Sequence, residues 1–144
     1  MQKNLAKAIL NIQSAIPVIK AGAENPMYKG KKYATLKQIM DVIKPELLKN
    51  NLLFTSKFDF VNEQWGMKSE LIWVGGEEME KDEAFFPMER IADPQQLGKL
   101  ATYARRYNIT SLLNLCFEDD EDDDDGNSFV AKKTPKTAPK PLNL

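Results

Sequence analysis

The first apolar pattern in the chain is typical of an amphipathic helix. Leucine and isoleucine recur at intervals of three or four residues, at Leu5, Ile9, Ile12, Ile16 and Ile19. Pro17 cannot continue a helix without losing a hydrogen bond, so the first helix is predicted to end near Ala15.

A second helix is predicted to begin after Thr35, a residue type that caps helix N-termini well. Its apolar stripe is Leu36, Ile39, Met40, Ile43 and Leu47. Asn50 and Asn51 follow as a plausible stop signal, which predicts a helix of about four turns.

The pattern then changes to strict alternation, which predicts half-buried strands. In the first strand the inward positions are Phe54, Ser56, Phe58 and Phe60, and in the second they are Trp65, Met67, Ser69, Leu71 and Trp73. Both tryptophans are therefore expected in the core. Gly75-Gly76 predicts a two-residue hairpin turn, and a third strand is expected from about Met79 to Met88.

The last helix has the clearest start signal, with Asp93 as N-cap and Pro94 at its first position. Its predicted apolar stripe is Leu97, Leu100, Ala101, Ala104 and Tyr107. Asn108 is expected to break the helix, and residues 109–116 to pack on the sheet as a short apolar segment. We therefore predict an α+β fold in which helices pack on a three-stranded antiparallel meander, in the order α-α-β-β-β-α.

The chain has 144 residues, which suits one domain, predicted to span residues 1–117. Residues 118–144 are predicted to form a disordered tail, acidic at first and then rich in lysine and proline. The chain has no histidine and one cysteine, which excludes imidazole-based catalysis, histidine metal sites and an internal disulfide. No apolar run is long enough to span a membrane, and no signal-peptide pattern opens the sequence, so a soluble, intracellular protein is expected. Because histidine is missing, we expect neither an enzyme of the familiar kinds nor a cofactor.

The formal net charge of −1 hides a strong asymmetry along the chain. Residues 1–57 carry a net charge of +7, whereas residues 58–117 carry −4. Eight consecutive carboxylates follow at 118–125, and the rest of the tail has four lysines. The predicted domain is thus basic, and its asymmetry suggests a polyanionic partner.

Two clusters combine cations with aromatic rings, as proteins that bind single-stranded nucleic acid do. The first is a loop in which Tyr28, Lys29, Lys31, Lys32 and Tyr33 lie within six residues. The second lies on the last helix and comprises Lys99, Tyr103, Arg105 and Arg106. At 100° per residue, Lys99, Tyr103 and Arg106 are expected opposite the apolar stripe, with Arg105 on its flank.

Each cluster also has a simpler interpretation. The loop could be an ordinary surface loop whose tyrosines cover the core, and charged helix faces are usually only solvated. However, no Asp or Glu lies between Gln95 and Phe117 to neutralise the arginines, which favours phosphate contact. The acidic run is better explained as a solvated tail than as a metal site, since metal binding requires carboxylates that converge from separate elements. Such a tail is also able to compete with DNA for the basic surface.

Four segments together resemble one known family. They are Tyr33-Ala34-Thr35-Leu36 with Ile43-Lys44-Pro45-Glu46-Leu47, Asp93-Pro94-Gln95-Gln96-Leu97-Gly98, Thr102-Tyr103-Ala104-Arg105-Arg106-Tyr107, and the acidic close from Asp122 to Asn127. In this order they resemble the ERF (essential recombination function) single-strand annealing proteins of bacteriophages, over about residues 1–127. Longer members continue into a further C-terminal segment, of which this chain has only a short equivalent.

The resemblance implies a phage-encoded recombinase that acts in the bacterial cytoplasm and needs no ATP. Such proteins coat single-stranded DNA, assemble as rings or helical filaments, and pair complementary strands. A single-strand-binding protein or an exonuclease is a further candidate partner. The alternative interpretation is a non-catalytic adaptor whose basic face docks an acidic protein.

Overall fold

A computed structural model describes residues 1–20, 23–24 and 32–118, with the backbone alone at 23–24, 32–33 and 118. Its helices are α1 (Lys3–Ala15), α2 (Leu36–Lys49) and α3 (Pro94–Leu113). Its longer strands are β4 (Leu52–Val61), β5 (Gln64–Trp73) and β6 (Glu80–Pro87). Four two-residue strands complete it: β1 (Ile19–Lys20), β2 (Ala23–Glu24), β3 (Lys32–Tyr33) and β7 (Phe117–Glu118). The predicted α+β class and the order α-α-β-β-β-α are confirmed.

The first two helices begin and end where local signals placed them. α1 ends at Ala15, two residues before Pro17. At the start of α2, the Thr35 hydroxyl accepts a hydrogen bond from the Gln38 backbone N–H at 3.1 Å, and the Gln38 side chain accepts one from the Thr35 N–H at 2.9 Å. This reciprocal capping box satisfies two backbone donors that a helix N-terminus leaves unpaired.

β4, β5 and β6 form an antiparallel sheet with β5 in the centre. Asn62 and Glu63 connect β4 to β5 as a two-residue turn, and both have positive φ, at 49° and 64°. That backbone twist matches the twist of the strands it joins. The sequence analysis did not identify this turn.

The predicted two-residue turn at Gly75-Gly76 is wrong. β5 ends at Trp73 and β6 begins at Glu80, so a longer loop connects them. The glycines serve another purpose, because the Trp73 indole lies against them: a Cβ on Gly75 would stand 2.5 Å from Trp73 Cζ2.

The helices pack on one face of the sheet in two clusters. The larger cluster joins all three helices to Leu52 and Leu71, and its fully buried members include Leu5, Ile12, Ile39, Ile43, Ile109 and Leu113. The smaller one packs Met67 and Met88 against Ala101 and Ala104, with Leu97 and Leu100 beside them. The first turns of α3 therefore lie toward the Met67 end of β5, and α1 and α2 toward its Leu71 end.

The sequence analysis expected Asn108 to break the last helix, and this expectation is wrong. Asn108 lies inside α3 with 4% of its surface exposed. Its Nδ2 donates to the Met67 carbonyl at 3.0 Å and to Ser69 Oγ at 2.9 Å. An asparagine disfavours a helix when its side chain competes for local backbone groups, and here the sheet occupies that side chain instead.

Residues 109–116, which were predicted to form a segment separate from the last helix, therefore belong in part to α3. α3 continues to Leu113 and ends at Asn114, which has the left-handed conformation common at helix C-termini. Residues Ile109, Leu112 and Leu113 are buried in the larger core cluster. Beyond them, β7 pairs in parallel with β1.

Glu80 joins the sheet to the start of α1. This side chain is 9% exposed, and its carboxylate accepts from the Leu5 backbone N–H at 3.0 Å and from Asn4 Nδ2 at 2.7 Å. Burial by itself raises the pKa of Glu80, but the hydrogen bonds from Leu5 and Asn4 outweigh it and lower the pKa below its usual value. The carboxylate thus caps α1 from a distant strand and favours its own ionised form.

Candidate nucleic-acid interface

The outer surface of α3 is cationic and contains no acidic residue. Lys99 and Thr102 are exposed, and Tyr103 is 49% exposed. Within the described ranges, Lys99 makes no hydrogen bond or ion pair. A lysine in this setting is available to an external anion.

Arg105 is half-buried on the same helix. Its Nε donates to the Ala101 carbonyl one turn earlier, at a long distance of 3.4 Å. This contact holds the guanidinium along the helix surface without an acidic partner, so its positive charge adds to that of Lys99.

Arg106 connects α3 to the end of the predicted binding loop. Its Nε donates to the Ala34 carbonyl at 2.7 Å. Its Cζ lies 5.3 Å from the centre of the Phe117 ring and 5.5 Å from that of Tyr107. The sequence analysis expected Arg106 opposite the apolar stripe, whereas the structure holds it half-buried between these groups. Part of its role is therefore to support the fold.

The structure brings only the end of the loop cluster to α3. Tyr28, Lys29 and Lys31 lie outside the described residues. The backbone of Lys32 and Tyr33 forms β3, which pairs with β2, and Ala34 then meets Arg106. The two predicted clusters thus meet through the backbone at Ala34.

Tyr103 and Tyr107 are neighbours rather than residues on opposite faces of α3. Their hydroxyl oxygens lie 3.0 Å apart, within hydrogen-bonding distance, and the Phe86 ring contacts both. Residues four apart lie one above the other on a helix. Because Tyr107 belongs to the apolar stripe of α3, Tyr103 lies at the edge of that stripe. Tyr103 keeps one side open for stacking, and the rest of its ring is held by Phe86.

A further aromatic cluster, which the sequence analysis placed in the core, is partly exposed on the sheet. The rings of Phe58 and Trp65 are parallel within 2°, with centres 6.1 Å apart. Phe58 is 41% exposed and Phe60 is 57% exposed, and Arg90 Cζ lies 5.9 Å from the Trp65 ring centre. We call Phe58, Phe60, Trp65 and Arg90 the sheet-end cluster.

The sheet-end cluster lies at the same end of the sheet as the first turns of α3. Met88 donates its backbone N–H to the Trp65 carbonyl, and Met88 itself packs with Ala101. Alternation identified the face on which these rings lie, but no local signal shows how far the helices cover that face. Exposed aromatic rings beside an arginine form a surface on which bases are able to stack.

Gly98 gives α3 a bare patch next to Lys99. A Cβ built on it would meet no atom within 4 Å, so packing does not require glycine there. Glycine inside a helix costs about 0.8–1 kcal/mol relative to alanine. A close approach of an external molecule to the helix backbone would explain that cost.

Metal clusters and membrane-spanning helices are not found in the part of the chain that the structure describes. No group of three or more Cys, Asp or Glu residues in these ranges could hold a metal ion. No helix among them is long and apolar enough to cross a membrane. The acidic run, apart from the backbone of Glu118, lies beyond the described ranges.

Comparison with known proteins agrees with the resemblance noted in the sequence. The family described as the ERF superfamily matches residues 5–143, which extends past the segments that suggested it. No curated protein and no solved structure matches the chain. With nearly its whole length matched, and with a fold that agrees with the expected element order, this chain belongs to the ERF superfamily.

Proposed function

We propose that this protein binds single-stranded DNA and anneals complementary strands in homologous recombination without ATP. Family membership supports a recombination role of the annealing type. The observation that carries the finer proposal is the outer surface of α3, where Lys99 and Arg105 lie on a helix that contains no acidic residue. Rigid cations suit a backbone of regularly spaced phosphates.

In this proposal, backbone and base contacts are divided between two neighbouring surfaces. Lys99 and Arg105 contact phosphates, and the bare backbone at Gly98 lets the strand come close. Phe58 and Phe60 of the sheet-end cluster, together with Tyr103, stack on bases. The loop residues Lys29, Lys31, Lys32 and Tyr33 extend the cationic surface, and Arg106 holds the end of that loop against α3.

Annealing requires two polyanions to approach while their base edges stay free. A cationic surface that holds one backbone lowers the electrostatic barrier to the second strand. Protomers side by side in a ring or filament would extend this surface and raise the local concentration of the second strand. Binding is then independent of sequence and steeply dependent on salt.

The direct test is the pairing rate of two complementary oligonucleotides labelled with a dye and a quencher, with protein and EDTA present and no nucleotide. We expect acceleration over the spontaneous rate, and none for noncomplementary strands. An adaptor that docks an acidic protein would give no acceleration and no single-strand binding at low salt, which would overturn the proposal.

The contact surface is tested by Lys99→Ala/Arg105→Ala, which spares Arg106 because that residue also holds Ala34. Each phosphate neutralised on a single strand contributes about 0.7 to the log–log salt slope, so we expect the slope to fall by about 1.4. The control is Lys37→Ala/Lys57→Ala, which removes two exposed charges, one on α2 and one on β4. Equal slopes in the two variants would exclude α3 from the interface.

A further inference from the structure

A groove separate from α3 lies between α1, the end of α2 and the end of β5. Its volume is about 280 Å³, close to the lower limit of about 300 Å³ for typical ligand pockets. The residues that give it chemical character are Lys7, Asn11, Lys49, Asn50, Asn51 and Trp73. It therefore combines two ammonium groups, several amides and an indole ring.

The two lysines, Lys7 on α1 and Lys49 in the last turn of α2, suit an anion in the groove. Lys7 is exposed and makes no ion pair within the described part of the chain. Lys49 pairs with Glu46 at 3.2 Å, but its side chain is 70% exposed. Exposed pairs of this kind contribute at most about 1 kcal/mol, so a phosphate is able to replace the carboxylate.

The groove also offers partners to hydrogen-bond donors. It contains the C-terminal end of α2, where the helix dipole is negative and Lys49 offsets that charge. Asn11 Nδ2 donates to Asn50 Oδ1 at 3.1 Å across the groove, which holds these amides in place. A ligand with both an anionic group and N–H groups fits these residues, and a nucleotide has both.

Trp73 supplies an apolar surface for a base. Its indole is half-buried, and the Gly75 backbone lies close against it. The ring thus has little freedom to move, and it also lines the groove. Stacking of a base on an aromatic ring is worth about 1–3 kcal/mol.

The groove is well separated from the proposed interface on α3. Trp73 and Trp65 lie on the same strand, eight positions apart. At about 3.3 Å per residue, this places them roughly 26 Å from each other. A strand bound at the sheet-end cluster would have to cross the molecule to reach the groove, so the two sites are distinct contacts.

We propose that this groove binds a nucleotide of a single-stranded nucleic acid, with its phosphate at Lys7 and Lys49 and its base against Trp73. The proposal rests on the proposed function in so far as the nucleotide belongs to a DNA strand. It adds a second nucleic-acid contact to each protomer, separate from the α3 interface.

The test uses the two tryptophans as separate probes. In Trp65→Phe, Trp73 is the remaining tryptophan, and in Trp73→Phe, Trp65 remains. Each protein is titrated with a short dye-labelled oligothymidylate, and dye anisotropy and tryptophan emission are recorded on the same samples. We expect Trp73 emission to be quenched as the oligonucleotide binds, and this quenching to be lost in Trp65→Phe/Lys7→Ala/Lys49→Ala.

A second measurement does not depend on the tryptophan variants. Lys7→Ala/Lys49→Ala in the otherwise unchanged chain should lower the salt slope of oligothymidylate binding by about 1.4. The control Lys37→Ala/Lys57→Ala is well matched, because Lys37 also belongs to an exposed ion pair on α2, with Asp41.

The outcomes separate this proposal from the function itself. The oligonucleotide could bind by anisotropy without any change in Trp73 emission and with the same salt slope in both lysine variants. That result would overturn the nucleotide site in the groove and leave the α3 interface intact. No binding by anisotropy to the unchanged protein would overturn the proposed function. Quenching together with the lower slope supports the groove.

Discussion

At the scale of single residues, polar side chains that the fold encloses are paired. Among residues 1–20 and 34–117, no buried side-chain nitrogen or oxygen lacks a hydrogen-bond partner. Asn108 and Ser69 form one such network with the Met67 carbonyl, and Ser56 Oγ lies 2.7 Å from Ser69 Oγ. Because an unpaired buried group is costly, this network favours one register between α3 and β5.

Asn108→Ala should therefore destabilise the protein. The substitution leaves a carbonyl and a hydroxyl with fewer partners, which typically costs about 1–3 kcal/mol in the free energy of unfolding. Thr102→Ala, an exposed position on the same helix, is the control and should change it by less than about 0.5 kcal/mol. Urea unfolding measures both, and equal stabilities would show that the Asn108 network contributes nothing.

Glu80 predicts how stability depends on pH. Its pKa is lower in the folded protein, so its contribution is present at neutral pH and is lost as the pH falls through the folded-state pKa. We expect Glu80→Gln to be less stable than the unchanged protein at about pH 7. The difference in stability between the two proteins should become smaller at pH values well below the usual glutamate pKa of about 4.3.

Thermal unfolding at neutral and acidic pH measures this gap. Glu78→Gln, in the exposed loop before β6, is the control and should unfold like the unchanged protein at both pH values. A Glu80→Gln gap that stays constant with pH would contradict the capping role of the carboxylate.

At the scale of elements, α3 serves two purposes on different parts of its surface. One side packs Ala101, Ala104 and Ile109 into the core, and the other presents Gly98 and Lys99 to solvent. A glycine that no packing requires on the exposed side suggests that function sets this position.

Gly98→Ala should separate stability from binding. Alanine is the better helix former, and its Cβ has free space, so the free energy of unfolding should rise by about 0.5–1 kcal/mol. Affinity for single-stranded DNA should fall, because the methyl group keeps the strand from the backbone. Urea unfolding and oligonucleotide anisotropy measure the two effects. A more stable variant that binds as tightly as the unchanged protein would show that no strand approaches there.

At the scale of the whole molecule, charge is divided between a basic stretch, residues 1–117, and an acidic run that follows it. Residues 1–117 carry a net charge of +3, although the whole chain carries −1. β7 extends to Glu118 and pairs with β1, so a truncation that preserves this pair must keep Glu118. The remaining residues, 119–144, carry a net charge of −3.

Removal of residues 119–144 should tighten binding to single-stranded DNA if the acidic run competes for the basic surface. The gain should shrink as salt is added, since salt screens exposed charges beyond about 10 Å at 0.1 M. Oligonucleotide titrations at two salt concentrations measure it. Weaker binding after truncation would instead assign a DNA contact to the lysines of the tail.

The sequence by itself determined the features that depend on neighbours along the chain. The end of α1 before Pro17, the capping box at Thr35 and the start of α3 at Asp93 follow from contacts within a few residues. Alternation determined the inner faces of β4 and β5, because successive side chains point to opposite sides. The acid-free cationic stretch of α3 was also visible in the sequence.

Only the tertiary structure decided the features that depend on partners distant in sequence. Asn108 stays helical because β5 accepts its amide, and Arg106 is held because Ala34 lies opposite it. Phe60 is exposed because the helices stop short of that end of the sheet, and Trp73 lines a groove because α1 and the end of α2 lie beside it. Local patterns set which way a side chain points, whereas its burial and its partners depend on what the rest of the chain packs against it.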